Sequence, residues 1–261
     1  MAEIWRGTWV VAYRELLRFV SERSRILSSF AMPLLFLVIF GAGFTNVIGT
    51  LAPGVNFIQF MYPGIIAMTV LTSSLFAGIS VVWDREFGFL KEILVAPIGR
   101  TGIVLGKAIG ATFVALLQAL IMLVLAPFLG VSLSPGLVAG LIPLVVVISL
   151  GLSGLGILIA SFMTSQQGFQ VLIQILIFPL IFLAGVFFPV NAVPLWMEVI
   201  SKINPLTYGV DAIRQLFLGS NVGLGVAVFG HTMTIIEEVI VVGGLSAILL
   251  GGAIVAFNRQ E

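Results

Sequence analysis

Residues 108–197 read AIGATFVALLQALIMLVLAPFLGVSLSPGLVAGLIPLVVVISLGLSGLGILIASFMTSQQGFQVLIQILIFPLIFLAGVFFPVNAVPLWM, ninety consecutive positions without one Asp, Glu, Lys or Arg. A charge at the centre of a bilayer costs at least ~2.5–3.5 kcal/mol on insertion scales, so a stretch this long and this empty belongs in hydrocarbon. A second charge-free run, of 58 residues, covers 26–83. Hydrophobic types make up 60% of the 261 residues and charged types 9%, with a mean hydropathy of +1.22. A soluble domain carries charge on roughly a quarter of its residues, so the expected fold class is an all-α polytopic membrane protein.

A span needs ~20 apolar residues, which divides the chain into six: 26–49, 57–83, 103–129, 137–162, 169–188 and 239–257. The breaks have physical causes: Pro53-Gly54, the charged run 84–100, Ser134-Pro135-Gly136 and Thr164-Ser165-Gln166-Gln167. The first run is too long for a signal-peptide core and is expected to stay as the first span. With the amino terminus inside, ten of the twelve Lys and Arg residues lie on the inner side, leaving Lys202 and Arg214 outside, so both termini are expected to be cytoplasmic.

Two segments differ from the spans. Over 1–25, Ile4, Trp5, Thr8, Trp9, Ala12, Tyr13, Leu16, Leu17 and Val20 recur at helical spacing, with Arg14, Arg18 and Glu22 on the other face. That pattern predicts an amphipathic helix lying in the cytoplasmic interface, ahead of a single transmembrane domain over 26–261. Residues 189–238 are too polar for a span and too apolar for an ordinary loop. Pro194 to Ile203 reads as a short helix carrying Glu198 and Lys202 at i,i+4. Asn204-Pro205 then reads as N-cap and N1 of a second helix, which carries Tyr208, Asp211 and Arg214 and stops near Gly219. The pair suggests a re-entrant or surface-lying hairpin at the outer leaflet.

What is missing narrows the chemistry. His231 is the sole histidine and there is no cysteine, so neither a His-based metal site nor a thiol or His-based triad is available. The predicted spans contain no carboxylate pair for general acid–base work or for a proton relay, and no metal site is expected. Thr101-Gly102-Ile103-Val104-Leu105-Gly106-Lys107-Ala108 ends in Gly-Lys but lacks the first glycine and the final Ser or Thr of a phosphate loop. Gly102, Gly106 and Gly110 read instead as small-residue helix packing. The chain is therefore expected to be non-catalytic, with no cofactor and no nucleic-acid partner.

The run Asp84-Arg85-Glu86-Phe87-Gly88-Phe89-Leu90-Lys91-Glu92-Ile93-Leu94-Val95-Ala96-Pro97 mixes both signs of charge with Phe87, Leu90 and Leu94 at i, i+3 and i+7. A short amphipathic helix ending before Pro97 fits, as does a solvated loop. With this run, Asn204-Pro205-Leu206-Thr207-Tyr208 before the last span, and Gly185-Val186-Phe187-Phe188-Pro189 after the fifth, the sequence resembles the permease subunits of type-2 ABC transporters, the drug- and polysaccharide-export class. The resemblance covers nearly the whole chain. Many such permeases have Thr where Phe89 and Ala96 stand and an acidic residue at the place of Lys91.

That resemblance implies a coupling helix within the cytoplasmic loop 84–101, with Arg85, Glu86, Phe87, Gly88, Leu90, Lys91, Glu92 and Leu94 docking on a separate ATP-binding cassette subunit. ATP and Mg²⁺ would be bound by that partner, present in two copies beside a second permease, most simply an identical one. It also implies a prokaryotic cytoplasmic (inner) membrane.

Polar side chains inside the spans are few. Thr69, Ser73 and Ser80 fall near one face of the second span, with Thr72 alongside, and Gln166, Gln170 and Gln174 form a stripe on the fifth. The resemblance places both helices along the central seam, so these residues are the candidate translocation path. Helix–helix hydrogen bonding suits the hydroxyls equally, Gln166 and Gln167 also suit the inner interface, and Gln118 is expected to pack. A seam this poor in charge, with Phe178, Phe182, Phe187 and Phe188 near its outer half, suits export of an apolar or amphipathic cargo: drug-like, lipid or lipid-linked glycan. A non-transporting membrane scaffold and an ATP-independent facilitator are the competing readings.

Overall fold

The computed structural model describes residues 2–43, 57–88, 99–219, 225–228 and 230–259. It is all-α apart from a small ribbon. The helices are α1 (Ala2–Ser21), α2 (Arg23–Gly43), α3 (Phe57–Leu75), α4 (Ala77–Glu86), α5 (Arg100–Leu125), α6 (Pro135–Ser161), α7 (Gln166–Leu183), α8 (Leu195–Ile203), α9 (Pro205–Leu218) and α10 (Ile235–Asn258). Strands β1 (Ala227–Val228) and β2 (His231–Thr232) pair antiparallel, an element the hydropathy pattern does not signal.

Five helical stretches are long and apolar enough to cross a membrane on their own: Phe57–Glu86, Arg100–Leu129, Pro135–Ser161, Gln166–Leu183 and Ile235–Asn258. Trp5–Ser21 and Ile26–Gly41 meet the same test only as a pair, bent by 72° between them, and add a sixth if the pair is counted as one span. That bend sets α1 steeply across the direction of α2, as an interface-lying helix requires. The expected first span runs on to Gly49, but positions 44–49 lie outside the described residues.

Helix α3 is the core. Phe60, Met61, Tyr62, Ile65 and Ile66 are fully buried, and α2, α5, α6 and α9 surround them. The Tyr62 hydroxyl donates to the Met122 carbonyl of α5. Helix α6 packs on α3, α4, α5 and α10 through small residues. A Cβ on Gly78 would lie 2.2 Å from the Gly156 carbonyl oxygen, and one on Gly156 would lie 2.3 Å from the Leu75 oxygen, so only glycine allows the α4–α6 approach. Helices α7 and α10 are peripheral and largely exposed.

Several boundaries differ from those expected, each with a local cause. The second span breaks at Phe76. Just before it, the hydroxyls of Thr69, Thr72 and Ser73 donate back to carbonyls three or four residues earlier, a bonding pattern that bends helices. The span then runs to Glu86, so Glu86 closes a transmembrane helix where a coupling helix was expected to open. Gly88, with φ of 80°, donates its N–H to the Arg85 carbonyl and ends the turn. Helix α10 starts four residues before the expected span, because Thr234 and Glu237 form a capping box and draw Glu237 and Glu238 into the first turn.

Helix α1 explains its own glycine partners. Its Thr8, Ala12 and Phe19 side is buried, and α1 lies on the first half of α5. A Cβ on Gly106 would meet Val11 Cβ at 2.7 Å, and one on Gly110 would meet Glu15 Cβ at 2.8 Å. The Thr8 hydroxyl donates to the Gly102 carbonyl at 3.3 Å. The apolar face read from the sequence is therefore split: Thr8 and Ala12 turn to protein, while Trp5, Trp9, Tyr13 and Leu17 are exposed, as an aromatic belt would be. At the same end of the molecule, Arg100 donates to the Asn258 carbonyl at 3.0 Å, bringing the end of α10 beside the start of α5.

Candidate functional site

Three elements, α1, α4 and α5, converge below the α3–α4 break on a charged node that insertion energetics would forbid if any member stood alone. Lys107 of α5 is 2% exposed. Its Nζ donates to Asp84 Oδ2 at 2.6 Å and to Ser80 Oγ at 2.9 Å, and lies 3.7 Å from Glu15 Oε1. Arg14 approaches Asp84 Oδ1 at 3.5 Å. Two cations and two carboxylates thus neutralise one another and tie α1 to α4 and α5. Asp84 and Lys107 flank the loop 84–101, so both ends of that loop are anchored to the same node.

The neighbouring residues complete the anchor. Arg85 is half-buried and donates from Nη1 to the carbonyls of Met163 at 2.7 Å and Ser161 at 3.3 Å, at the end of α6. The Glu86 carboxylate accepts the Gln166 backbone N–H at 3.0 Å, at the start of α7, where a helix favours an anion. Phe87 is exposed, edge-on to Trp83 at 5.6 Å. Arg85 and Glu86, both expected to face a partner, also meet groups of their own chain. Leu90, Lys91, Glu92 and Leu94 lie outside the described residues.

Beside the node a cavity of about 400 Å³ opens between α1, α2, α3–α4 and α5. Thr69, Ser73 and Ser80 line it, as do Thr72 and Gln166. Gln170 and Gln174 do not: Gln170 is half-buried and Gln174 is exposed on the outer side of α7, near Val171, Ile175 and Phe178. Gln118, expected only to pack, is 2% exposed, lines the cavity, and its Oε1 is without a hydrogen-bond partner. The aromatic residues expected near the seam form a stack around Phe187, with ring centroids 4.9 Å from Phe182 and 4.9 Å from Phe40, which joins α7 to α2.

The outer hairpin is a second polar assembly. Asn204 Oδ1 accepts the Leu206 N–H at 3.0 Å as N-cap, and its Nδ2 donates to the Leu180 carbonyl at 2.8 Å. Tyr208 donates to the Lys202 carbonyl at 2.7 Å, and Lys202 pairs with Glu198 at 2.5 Å. Asp211 and Arg214 are both buried but hold different partners. Asp211 Oδ2 accepts the Val226 N–H at 2.6 Å, while Arg214 donates to the Gly185 carbonyl at 2.5 Å and lies 4.1 Å above the Phe60 ring. Burial lowers the Arg214 guanidinium to about 10, opposed by Asp211 and Glu238. Gln215 Nε2 reaches Glu238 at 3.2 Å and Asp211 at 3.4 Å.

Sequence reasoning misses Lys107, Asp84 and Glu15 as one node, and misses Glu238, which meets Asp211 across the hairpin although no predicted span contains a carboxylate pair. A usable signal existed for Lys107 alone. Lys107 stands between Gly106 and Gly110 at the head of the 90-residue charge-free run, and a lysine flanked by packing glycines there is placed to be buried. Among the described residues no group of three or more His, Cys, Asp or Glu side chains is placed to hold a metal ion.

The comparisons agree in kind. The family described as ABC-2 type transporter matches residues 6–218. A ycf38 protein of Cyanophora paradoxa, named as a transport permease, is 33% identical over 202 residues, covering 75% of this chain and 69% of the relative. Nodulation protein J of Rhizobium meliloti (strain 1021) is 30% identical over 197 residues, covering 75% and 74%. YbhR of Escherichia coli (strain K12), named as a multidrug ABC transporter permease, is 32% identical over 167 residues, covering 64% of this chain and 45% of the relative.

Proposed function

The chain belongs to the ABC-2 type transporter family, as a multi-pass membrane component of an ABC transporter, and from that premise we propose that it is the permease of an ATP-driven exporter. Its cargo is apolar or amphipathic, whether drug-like, lipid or lipid-linked glycan, and moves outward across a prokaryotic cytoplasmic membrane with both termini inside. The permease itself is non-catalytic. ATP and Mg²⁺ belong to two copies of a separate ATP-binding cassette subunit, and a second, identical permease completes the path.

The observation that carries this reading is the cavity beside the charged node. It lies at the end where α1, the ends of loop 84–101 and the end of α10 gather, the side richest in Lys and Arg, which supports a cytoplasmic placement. A cargo entering there loads from inside. The loop that would meet the ATPase is rooted in residues that line or adjoin the cavity, so a displacement of the loop would be felt at the cavity wall. The exposed face of α7, carrying Gln174, Val171, Ile175 and Phe178, supports the second copy.

Co-purification with the ATP-binding protein encoded beside this chain tests the reading, comparing wild type with Leu90→Asp/Leu94→Asp. A complex of two permeases and two ATPases that disappears in the double variant is expected. A folded permease that never recruits an ATPase would instead favour the scaffold or the facilitator.

A further inference from the structure

The wall of the cavity has an unusual hydrogen-bonding polarity. Each hydroxyl has one proton to donate and two lone pairs to accept with. Thr69 donates its proton to the Ile65 carbonyl at 2.9 Å, Thr72 to Met68 at 2.8 Å, and Ser73 to Thr69 at 3.1 Å. All three therefore spend their donors on their own helix and leave lone pairs for an occupant. Gln118, 2% exposed on the α5 side, adds an Oε1 with no partner at all. An unmet buried acceptor is costly, and a ligand that supplies the missing N–H or O–H recovers that cost.

The charges lean the same way. Within the node, Asp84 has both cations close, Lys107 at 2.6 Å and Arg14 at 3.5 Å, whereas Glu15 has Lys107 alone at 3.7 Å. Glu15, on the cavity wall, is thus held by a longer contact than Asp84. Lys107 already donates to Asp84 and Ser80. Arg18, the other cation on the wall, lies 4.4 Å over the Trp83 ring and pairs with Glu22 at 3.9 Å. An anionic headgroup would meet mostly lone pairs. A cationic one would meet acceptors and a carboxylate, with the Phe19 and Phe76 side chains alongside.

We propose that this cavity binds the cationic, donor-rich head of an amphiphile, an ammonium or amine-bearing aromatic cation, with Gln118 Oε1 and the Glu15 carboxylate as its fixed acceptors. Its role as a loading site rests on the exporter reading; the binding itself does not.

The test uses the full chain in nanodiscs of zwitterionic lipid, without ATPase or ATP. Ethidium is the cationic probe and 8-anilinonaphthalene-1-sulfonate the anionic one, each followed by the fluorescence gained on leaving water, with empty nanodiscs subtracted. Ethidium is expected to bind saturably, and Gln118→Leu and Glu15→Gln each to weaken it about tenfold or more, the scale of a lost hydrogen bond to a charged group. Gln118→Glu is expected to tighten ethidium, which keeps the test decisive if the leucine variant does not fold. Binding of the sulfonate is expected to be unaffected by Gln118→Leu. Ethidium binding that ignores all three substitutions, or sulfonate binding that follows them, overturns the assignment. With the ATP-binding partner and ATP supplied, ethidium that binds as described but is not moved sustains the site and sinks the exporter. ATP-driven flux of an anionic amphiphile blocked by Gln118→Leu sustains the exporter and sinks the site.

Discussion

Replacing Lys107 by Met tests whether the charged node holds the inner end together. The substitution keeps most of the apolar stem but removes the ammonium from between Asp84, Ser80 and Glu15. Removing one partner of a buried ion pair costs ~3–5 kcal/mol, because the other charge is left without compensation. Asp84, whose side chain is 4% exposed, keeps only Arg14, which is 52% exposed and 3.5 Å away. A half-solvated partner recovers little, ~0.2–1 kcal/mol, so the net loss is about 3 kcal/mol. In a chain of this size a loss of that order lowers the unfolding midpoint by roughly 6–12 °C. Thermal unfolding in nanodiscs, followed by tryptophan fluorescence, reads it directly. Asp84→Asn in the same chain removes the stranded charge and should recover much of the loss, giving a coupling of about 2 kcal/mol in a double-mutant cycle. A midpoint within about 2 °C of wild type for Lys107→Met, or strict additivity with Asp84→Asn, would show that the node does not hold the inner end together.

Gly78→Ala places a methyl 2.2 Å from the Gly156 carbonyl, backbone that cannot step aside without parting α4 from α6; a loss of ~1–3 kcal/mol is expected in the same unfolding assay, while Gly136→Ala, in open space, should be near neutral. Arg214→Met removes the bond to Gly185 and the cation above Phe60 and takes a buried positive charge from the neighbourhood of Asp211. A loss of ~3–5 kcal/mol is expected, and Arg214→Lys should fail to restore it, because an ammonium lacks the planar face that lies on the ring. Unfolding midpoints of the two variants decide it, and a fully stable lysine variant would count against the stacked geometry.

Membrane character, the approximate number of spans and the Asn204 cap were legible because each is written in contiguous residues. A 90-residue charge gap needs no partner to be interpreted, and Asn204-Pro205 caps a helix by bonds within three positions. The node was not legible, because its meaning is set by distance in space. Asp84 and Lys107 read as two ordinary inner-side charges until the chain folds 23 residues back to place them 2.6 Å apart. The same holds for Asp211 and Glu238, which no span-by-span search for acidic pairs brings together. The hydroxyl stripe was visible as a stripe, but its polarity was not. Whether Thr69, Thr72 and Ser73 offer protons or lone pairs depends on rotamers that send each proton back to its own helix, just before the break at Phe76. One local bonding pattern thus sets which hydrogen-bonding groups the cavity wall has left to offer. The spacing of the three residues does not record it, since spacing fixes a shared face of the helix and not the direction in which each hydroxyl proton points.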